Sequence, residues 1–333
     1  MTLINKARFV AIFLPLVGGC AKYEAMPLNS ASVEKTLAAP EPSKLRVAAS
    51  QIKHPILKPV ELNDGPGITP DQAAILAVLM NPALRAKRDQ RQLAAAQLLQ
   101  AGILPNPQLN FTEDIPIGGT DQGSINAFAV GLSWDVTSLI SHDAKVRAAQ
   151  ASSASVDLDI AWQEWQTAQA ARTAAYDLIA LESVLQQSMD IDRELTQNAS
   201  VIQAAVDRHE KTLLDSSAAQ VASMDAHIAV ITAQRDLGQQ RQQLNRALGF
   251  SPETNVQVRG NVELPSHLSL PSLEDLLKGL ETRRLDLMAL KMGYESQEET
   301  LRQAVLEQFP EVNLGFNHAR DNPTDCTLVL SRA

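Results

Sequence analysis

The side chains that could do acid–base or metal chemistry are scattered along the sequence. Its six histidines have no spacing typical of metal ligands, and no phosphate-binding glycine loop, nucleophile elbow or zinc signature is present. The histidines are His54, His142, His209, His227, His267 and His318. The sequence therefore predicts no catalytic residue, no bound metal and no cofactor in a protein that is not an enzyme. A net charge of −9 also argues against broad nucleic-acid binding.

Cys20 is the side chain whose setting predicts a reaction. It follows a basic start, a short apolar run and two glycines. The run is shorter than the roughly 20 residues that cross a bilayer, which is typical of a secretion signal. The sequence Val17-Gly18-Gly19-Cys20 resembles a bacterial lipobox, whose thiol receives diacylglycerol before residues 1–19 are removed. We expect a lipoprotein held by acyl chains such as palmitate. The alternative is an ordinary signal peptide with an incidental cysteine.

The residues after Cys20 predict a tether and a destination. Ala21 stands where an aspartate would retain a lipoprotein in the inner membrane of enteric bacteria, so the outer membrane is favoured. Residues 20–66 are rich in proline, serine, lysine and alanine and have no sustained period. Because the prolines prevent a long helix, we predict a lipid-anchored extended tether.

A repeat relates two segments of the chain at a shift of 203 positions. Residues 69–111 align without a gap on the segment that begins at Ser272. Thr69 and Ser272 are both expected to be N-caps, and Gln72 or Asp275 three residues later can close a capping box. Each unit is predicted to be a helix of about thirty residues followed by a strand. Chance similarity between two amphipathic helices is the alternative explanation.

The repeat divides the chain into segments. We predict a first helix–strand–strand–helical-hairpin repeat over 67–250, a linker over 251–270 and an incomplete second repeat over 271–333. In the second repeat, a strand beginning near Val312 and another at 327–331 are expected on either side of a linker that starts at His318. The fold class is mainly α with a minor β part.

Two segments of the first repeat alternate like strands, at 107–117 and 125–135. Each has about the 9–11 residues that cross a bilayer at a tilt. In the second segment one face carries apolar side chains and the other carries small ones, which is typical of strands between lipid and a lumen. The predicted lipid-facing residues are Phe128, Val130, Leu132 and Trp134. Asp114 is predicted either to line a pore or to be a plain loop carboxylate. The alternative interpretation of the two strands is an ordinary soluble hairpin with one face on a core.

Two long helices follow, at about 141–208 and 214–248. The first contains no proline or glycine, and its apolar residues are mostly three and four apart, which indicates a coiled-coil seam. Trp162 and Trp165 share a face as packing residues rather than a binding site. The apolar side of the second helix is expected to comprise Val221, Met224, Ile228, Ile231, Leu237, Leu244 and Leu248. Residues 207–215 are expected to form the hairpin tip.

In this order the motifs resemble the TolC-like outer-membrane efflux family, particularly its lipoprotein members in metal or drug resistance systems. The likeness covers about residues 65–331. It is carried by Asn81-Pro82-Ala83-Leu84, Leu104-Pro105-Asn106-Pro107, Trp134-Asp135, Leu244–Phe250 and Arg284–Leu287.

The resemblance implies a function without chemistry. Three protomers would close their strands into one barrel in the outer membrane and their helices into a periplasmic tunnel. An inner-membrane pump would drive solutes such as metal ions, drugs or organic compounds through it. A periplasmic adaptor would dock at the hairpin tip, which by position comprises Arg208, Lys211, Leu213, Leu214 and Asp215.

Two departures from the family pattern accompany this resemblance. Leu285 stands where the family usually has proline, and a second helical hairpin is not found after 333 residues. The repeat predicts about a hundred further residues, and without them we expect an unsealed channel. The remaining alternatives are a non-functional remnant of a channel and a periplasmic adaptor-type coiled-coil protein. The adaptor is disfavoured because its hairpin should be flanked by β-rich halves.

Overall fold

The computed structural model describes residues 29–30, 42–62, 67–115, 126–260, 270–308 and 312–320. The helices are α1 Pro42–Ser50, α2 Pro70–Met80, α3 Pro82–Gly102, α4 Thr137–Asp207, α5 Leu213–Leu248, α6 Leu273–Leu277, α7 Leu280–Arg283 and α8 Leu285–Leu306. The strands are β1 Gln108–Asp114, β2 Ala127–Asp135 and β3 Asn313–Arg320. The predicted fold class, mainly α with a minor β part, is confirmed. None of the described helices is both long and apolar enough to cross a membrane.

Helix α4 is the element on which the others pack. It has 71 residues, which at 1.5 Å per residue gives a length of about 105 Å. It begins four residues earlier than predicted, where the Ser138 N–H donates to Asp135 Oδ1 at 3.2 Å. Helices α2, α3, α5 and α8 all pack against it. Helices α3 and α8 contact its first half, α2 contacts its middle around Ala171 and Leu178, and α5 returns along its second half.

The prediction of one continuous thirty-residue helix in the first repeat is wrong, because the helix is interrupted at Asn81, between α2 and α3. Pro82 disfavours the helical conformation at the residue before it, and Asn81 has a ψ of 120°. Proline also lacks the N–H that would bond the carbonyl of Val78. The Arg88 Nη2 donates to that oxygen at 2.7 Å instead. The carbonyl freed by the break is therefore satisfied.

The second repeat breaks at the equivalent position. Arg284, 203 residues after Asn81, is extended with a ψ of 116° and separates α7 from α8. The two predicted N-caps are confirmed, since Thr69 accepts from the Gln72 N–H and Ser272 accepts from the Asp275 N–H. Both repeats thus begin and break at matching positions, although Leu285 replaces the proline.

The helix break at Asn81 packs against the C-terminal end of α5. The Asn81 Nδ2 donates to the Ala247 carbonyl at 2.9 Å. Gly249 ends α5 with a φ of 76°, and a Cβ built there would lie 2.6 Å from Pro82 Cδ. Only a glycine leaves room for this approach, so two motifs 166 residues apart form one joint. The main apolar core surrounds it, with Leu178, Leu244 and Leu248 fully buried.

The predicted extended tether is wrong for residues 42–62. Residues 42–50 form α1, and Ala49 and Leu57 are buried against α2 and α4. His54 fixes the following loop, because its Nε2 donates to the Ala161 carbonyl at 2.9 Å. Its Nδ1 accepts from two backbone N–H groups, those of Ile56 and Leu57, at 3.0 Å each. This segment is therefore packed on the helices.

The hairpin of α4 and α5 follows the prediction on one helix and departs from it on the other. Leu181 and Leu185 of α4 pack against the core that α4 shares with α5, as the spacing predicts. On α5 the buried face uses Ala226, Val230, Ala233, Leu237, Leu244 and Leu248. Val221, Met224, Ile228 and Ile231 are exposed, in contrast to the prediction. Small residues permit close approach to α4, so packing selects the face with Ala226 and Ala233.

The three strands form an antiparallel sheet in the order β1-β2-β3. Leu109 is opposite Leu132, which is opposite Phe316. The linker predicted to begin at His318 is wrong, because β3 continues to Arg320 and pairs with Phe128. The predicted strand at 327–331 lies outside the described residues.

Candidate channel wall and hairpin tip

One face of the sheet is apolar and exposed. Leu109, Leu132 and Phe316 share a cross-strand row, and their side chains are 61%, 48% and 52% exposed. Phe111 lies in the next row and is 67% exposed. Burying such a surface is strongly favourable at about 25 cal/mol per Å². A contiguous apolar face of this kind is therefore suited to lipid or to a protein partner.

The apolar face has a different boundary at each end. At one end Trp134 donates from Nε1 to the Pro105 carbonyl at 2.8 Å. At the other end Phe128 stands in a row between Glu113 and Arg320. The six steps along the strand from Phe128 to Trp134 span about 20 Å, somewhat less than the ~25 Å band of outer-membrane strands. An aromatic residue and a charged row thus bracket the apolar residues.

The opposite face is polar or small throughout. Asn110, Gly131 and Asn317 form one row, and Gln108, Ser133 and Gly315 form the next. The predicted pore residue Asp114 lies on this face, opposite Ala127 at the end of β1. The predicted lipid-facing residues Phe128, Val130, Leu132 and Trp134 all lie on the apolar face. The register therefore separates the two predicted sets as the alternation indicates.

The hairpin tip presents two exposed leucines at the start of α5. Leu213 and Leu214 are 75% and 79% exposed. Thr212 is the N-cap, and its backbone N–H and hydroxyl donate to Asp215 Oδ2 at 3.0 and 2.8 Å. These hydrogen bonds from Thr212, with a smaller contribution from Lys211, hold the pKa of Asp215 below its usual value. The capping box orients the first turn of α5 and with it both leucines.

Removing the carboxylate of Asp215 should change the acid stability of the hairpin. Because its folded pKa is depressed, the carboxylate stabilises the folded state at neutral pH, and this contribution is lost as the pH falls through that pKa. Asp215→Asn is expected to lower the melting temperature at pH 7 and to reduce the loss of stability below about pH 4. Thermal unfolding at several pH values checks this. An unchanged pH profile would contradict it.

His209 holds a left-handed conformation in the tip loop. Its φ is 61°, and it is the only described residue other than glycine with a positive φ. Left-handed backbone costs a residue with a Cβ about 1 kcal/mol, which glycine avoids. His209→Gly is therefore expected to raise the free energy of unfolding by about 0.5–1 kcal/mol. Denaturant unfolding measures this, with His209→Ala as the control that should give no gain.

An aromatic pair joins α4 to the second repeat. The rings of Trp162 and Trp165 stack with centroids 4.7 Å apart, and the Arg284 guanidinium lies 5.4 Å from the Trp162 centroid. Asp286 accepts from Arg284 Nε at 3.0 Å. This hydrogen bond raises the pKa of Arg284 and lowers that of Asp286. The arrangement supports the prediction that the tryptophans are packing residues.

A polar cluster that was not predicted from the sequence lies beneath the helix break at Asn81. Arg88 Nε donates to Glu164 Oε1 at 2.6 Å, and the other carboxylate oxygen lies 3.7 Å from His54 Nε2. The proline at position 82 was the available signal, because it predicts a freed carbonyl and hence a donor nearby. Among the described residues no group of three or more histidine, cysteine, aspartate or glutamate side chains is arranged to hold a metal.

Solved structures share this arrangement of strands and long helices. VceC from Vibrio cholerae, an outer membrane protein, superposes with a TM-score of 0.59 at 15% identity, over 76% of this chain and 63% of that one. The outer-membrane channel OprN gives a TM-score of 0.63 at 15% identity, over 77% and 60%. The chain has the TolC-like channel fold. The CmeC outer membrane channel of Campylobacter jejuni agrees, with a TM-score of 0.60 at 14% identity over 92% and 67%.

The TolC-like fold is shared over part of the length of those proteins. The chain spans less than two thirds of VceC and of OprN, at 63% and 60%. No protein-family model and no curated protein sequence matches the chain. At 14–15% identity these superpositions establish the fold alone. Among the solved structures named, OprN and CmeC are outer-membrane channels. Cys20 and Cys326 lie outside the described residues, so lipidation stays a prediction.

Proposed function

We propose that the chain is the outer-membrane channel component of a tripartite efflux system. It conducts solutes passively from a periplasmic adaptor and an inner-membrane pump to the exterior. The observation that carries this proposal is the two-faced sheet at the start of α4. An apolar face left 48–67% exposed at Leu109, Phe111, Leu132 and Phe316 lies opposite a face of amides, serine and glycines.

The helices place the sheet and the tip at opposite ends of α4. The sheet adjoins its first residue, since the Val136 N–H donates to the Val312 carbonyl at 3.0 Å. The tip follows the last residue of α4. At a rise of 1.5 Å per residue, that end of the helix lies about 105 Å from the sheet. A lipid-facing sheet at one end leaves Leu213 and Leu214 deep in the periplasm, where an adaptor can bind them. Copies of the chain, three in the TolC-like arrangement, would complete the wall.

Fractionation and conductance test the proposal together. The full chain, expressed in a Gram-negative host, is expected in the outer-membrane fraction as a cross-linkable trimer that conducts ions in planar bilayers. Soluble aggregate, or a monomer that conducts nothing, would contradict it. Radiolabelled palmitate is expected on the wild-type chain and absent from Cys20→Ser, which tests the anchor separately.

The tip is tested by cross-linking to an adaptor. Leu213→Asp with Leu214→Asp is expected to abolish adaptor cross-links without removing the chain from the membrane. Val47→Asp is the matched control, since Val47 is 54% exposed on α1. If the double leucine variant cross-links to the adaptor as well as Val47→Asp does, the two leucines are excluded as contacts.

A further inference from the structure

The polar face of the sheet has two carboxamides on either side of a glycine. Asn110 and Asn317 are the cross-strand neighbours of Gly131, and both side chains are exposed. A Cβ at Gly131 would lie 3.5 Å from Asn317 Oδ1 and 3.9 Å from Asn110 Cβ. With no side chain on Gly131, the two amides are the groups that project from this row.

Within the three described strands, the rows on either side of the amides carry no charge. Ser133 lies between Gln108 and Gly315, and Ala129 lies between Thr112 and Ala319. On this face the carboxylates stand at the two ends, Asp114 opposite Ala127 and Asp135 opposite Asn313. Arg320 and Glu113 flank Phe128 on the other face. Three consecutive rows of the polar face are therefore neutral across β1, β2 and β3.

We propose that Asn110 and Asn317 determine the ion selectivity of the strand-lined part of the duct, as a neutral band that passes anions and cations alike. This inference rests on the proposed channel function. A carboxamide offers a carbonyl oxygen to cations and two N–H donors to anions, so it favours neither sign. The amide row also lies at the middle of the neutral rows, farthest from Asp114 and Asp135. The field of those carboxylates is weakest there, so an added charge would have its largest relative effect on a passing ion.

Charge substitution at Asn317 tests the band. Asn317→Asp and Asn317→Lys in the full-length protein are compared with wild type and with Asn317→Gln in planar bilayers under a potassium chloride gradient at low salt. The aspartate is expected to raise the cation-to-anion permeability ratio by about three- to fourfold per copy and the lysine to lower it as much, because one unit charge ~10 Å from the ion in water favours one sign of ion and disfavours the other by roughly twofold each. Asn317→Gln is expected to match wild type.

The outcomes separate this inference from the channel proposal. If wild type conducts but strongly prefers one sign of ion, or if neither charged variant changes the ratio, the selectivity role is overturned while the duct stands. A change of the same sign in both variants would also overturn it, because it would report distortion of the sheet. If wild type conducts nothing, the channel proposal fails and this inference fails with it.

Discussion

Gly249→Ala is expected to lower the free energy of unfolding by about 2–4 kcal/mol. The first cause is the φ of 76° at this residue, which costs a residue with a Cβ about 1 kcal/mol. The second is overlap, because the new methyl group would lie 2.6 Å from Pro82 Cδ and 3.1 Å from the Met80 carbonyl oxygen. The proline ring and the backbone cannot rotate away as a flexible side chain would. The joint between α2, α3 and α5 would have to open.

Gly238→Ala is the matched control for this prediction. Gly238 lies within α5, and a Cβ there would meet nothing within 4 Å. Alanine is favoured over glycine inside a helix by about 0.5–1 kcal/mol, so this variant should be slightly more stable. Denaturant unfolding followed by circular dichroism measures both. Equal effects of the two substitutions would refute the close contact at Gly249.

Leu132→Arg is expected to destabilise the membrane-assembled protein by about 2–4 kcal/mol, the cost of an arginine near the bilayer midplane on a lipid-facing strand. Leu132 lies on the central strand between Leu109 and Phe316 and is 48% exposed. If this face met water instead, the same substitution should change stability by no more than about 0.5 kcal/mol. The size of the effect therefore distinguishes a membrane strand from a soluble hairpin.

Ser133→Arg provides the control on the opposite face. It adds the same side chain at the neighbouring position of β2, facing Gln108 and Gly315. In a duct this position meets water, so little loss of stability is expected. Urea unfolding from lipid vesicles measures both variants. A larger loss for Ser133→Arg than for Leu132→Arg would reverse the proposed faces of the sheet.

Local signals predicted the elements of the fold well. Thr69 and Ser272 begin helices through bonds to residues three positions away, so short sequence windows contain the needed information. The alternation in β2 likewise predicted both faces of the sheet. The helix break at Asn81 was missed although Pro82 signalled it, because apolar periodicity continued across the proline.

Long-range packing was beyond what the sequence could predict. His54 bonds the carbonyl of Ala161, 107 residues away, and no local pattern indicates that partner. The buried face of α5 was misassigned because Val221 and Met224 are more apolar than Ala226. Close helix contact favours the smaller residue, and only the presence of α4 decides this. The joint between Asn81 and Gly249 was visible as two motifs but not as one contact.

Spin labels on the two faces of the sheet test the central claim most directly. Phe316→Cys and Ser133→Cys, each in a Cys326→Ala background and reconstituted in lipid vesicles, are compared by their accessibility to oxygen, which partitions into lipid, and to an aqueous nickel chelate. We expect the label at position 316 to be relaxed mainly by oxygen and the label at position 133 mainly by the nickel chelate. Relaxation of the label at position 316 by the nickel chelate, to the same extent as at position 133, would contradict a lipid-facing sheet and the channel built on it.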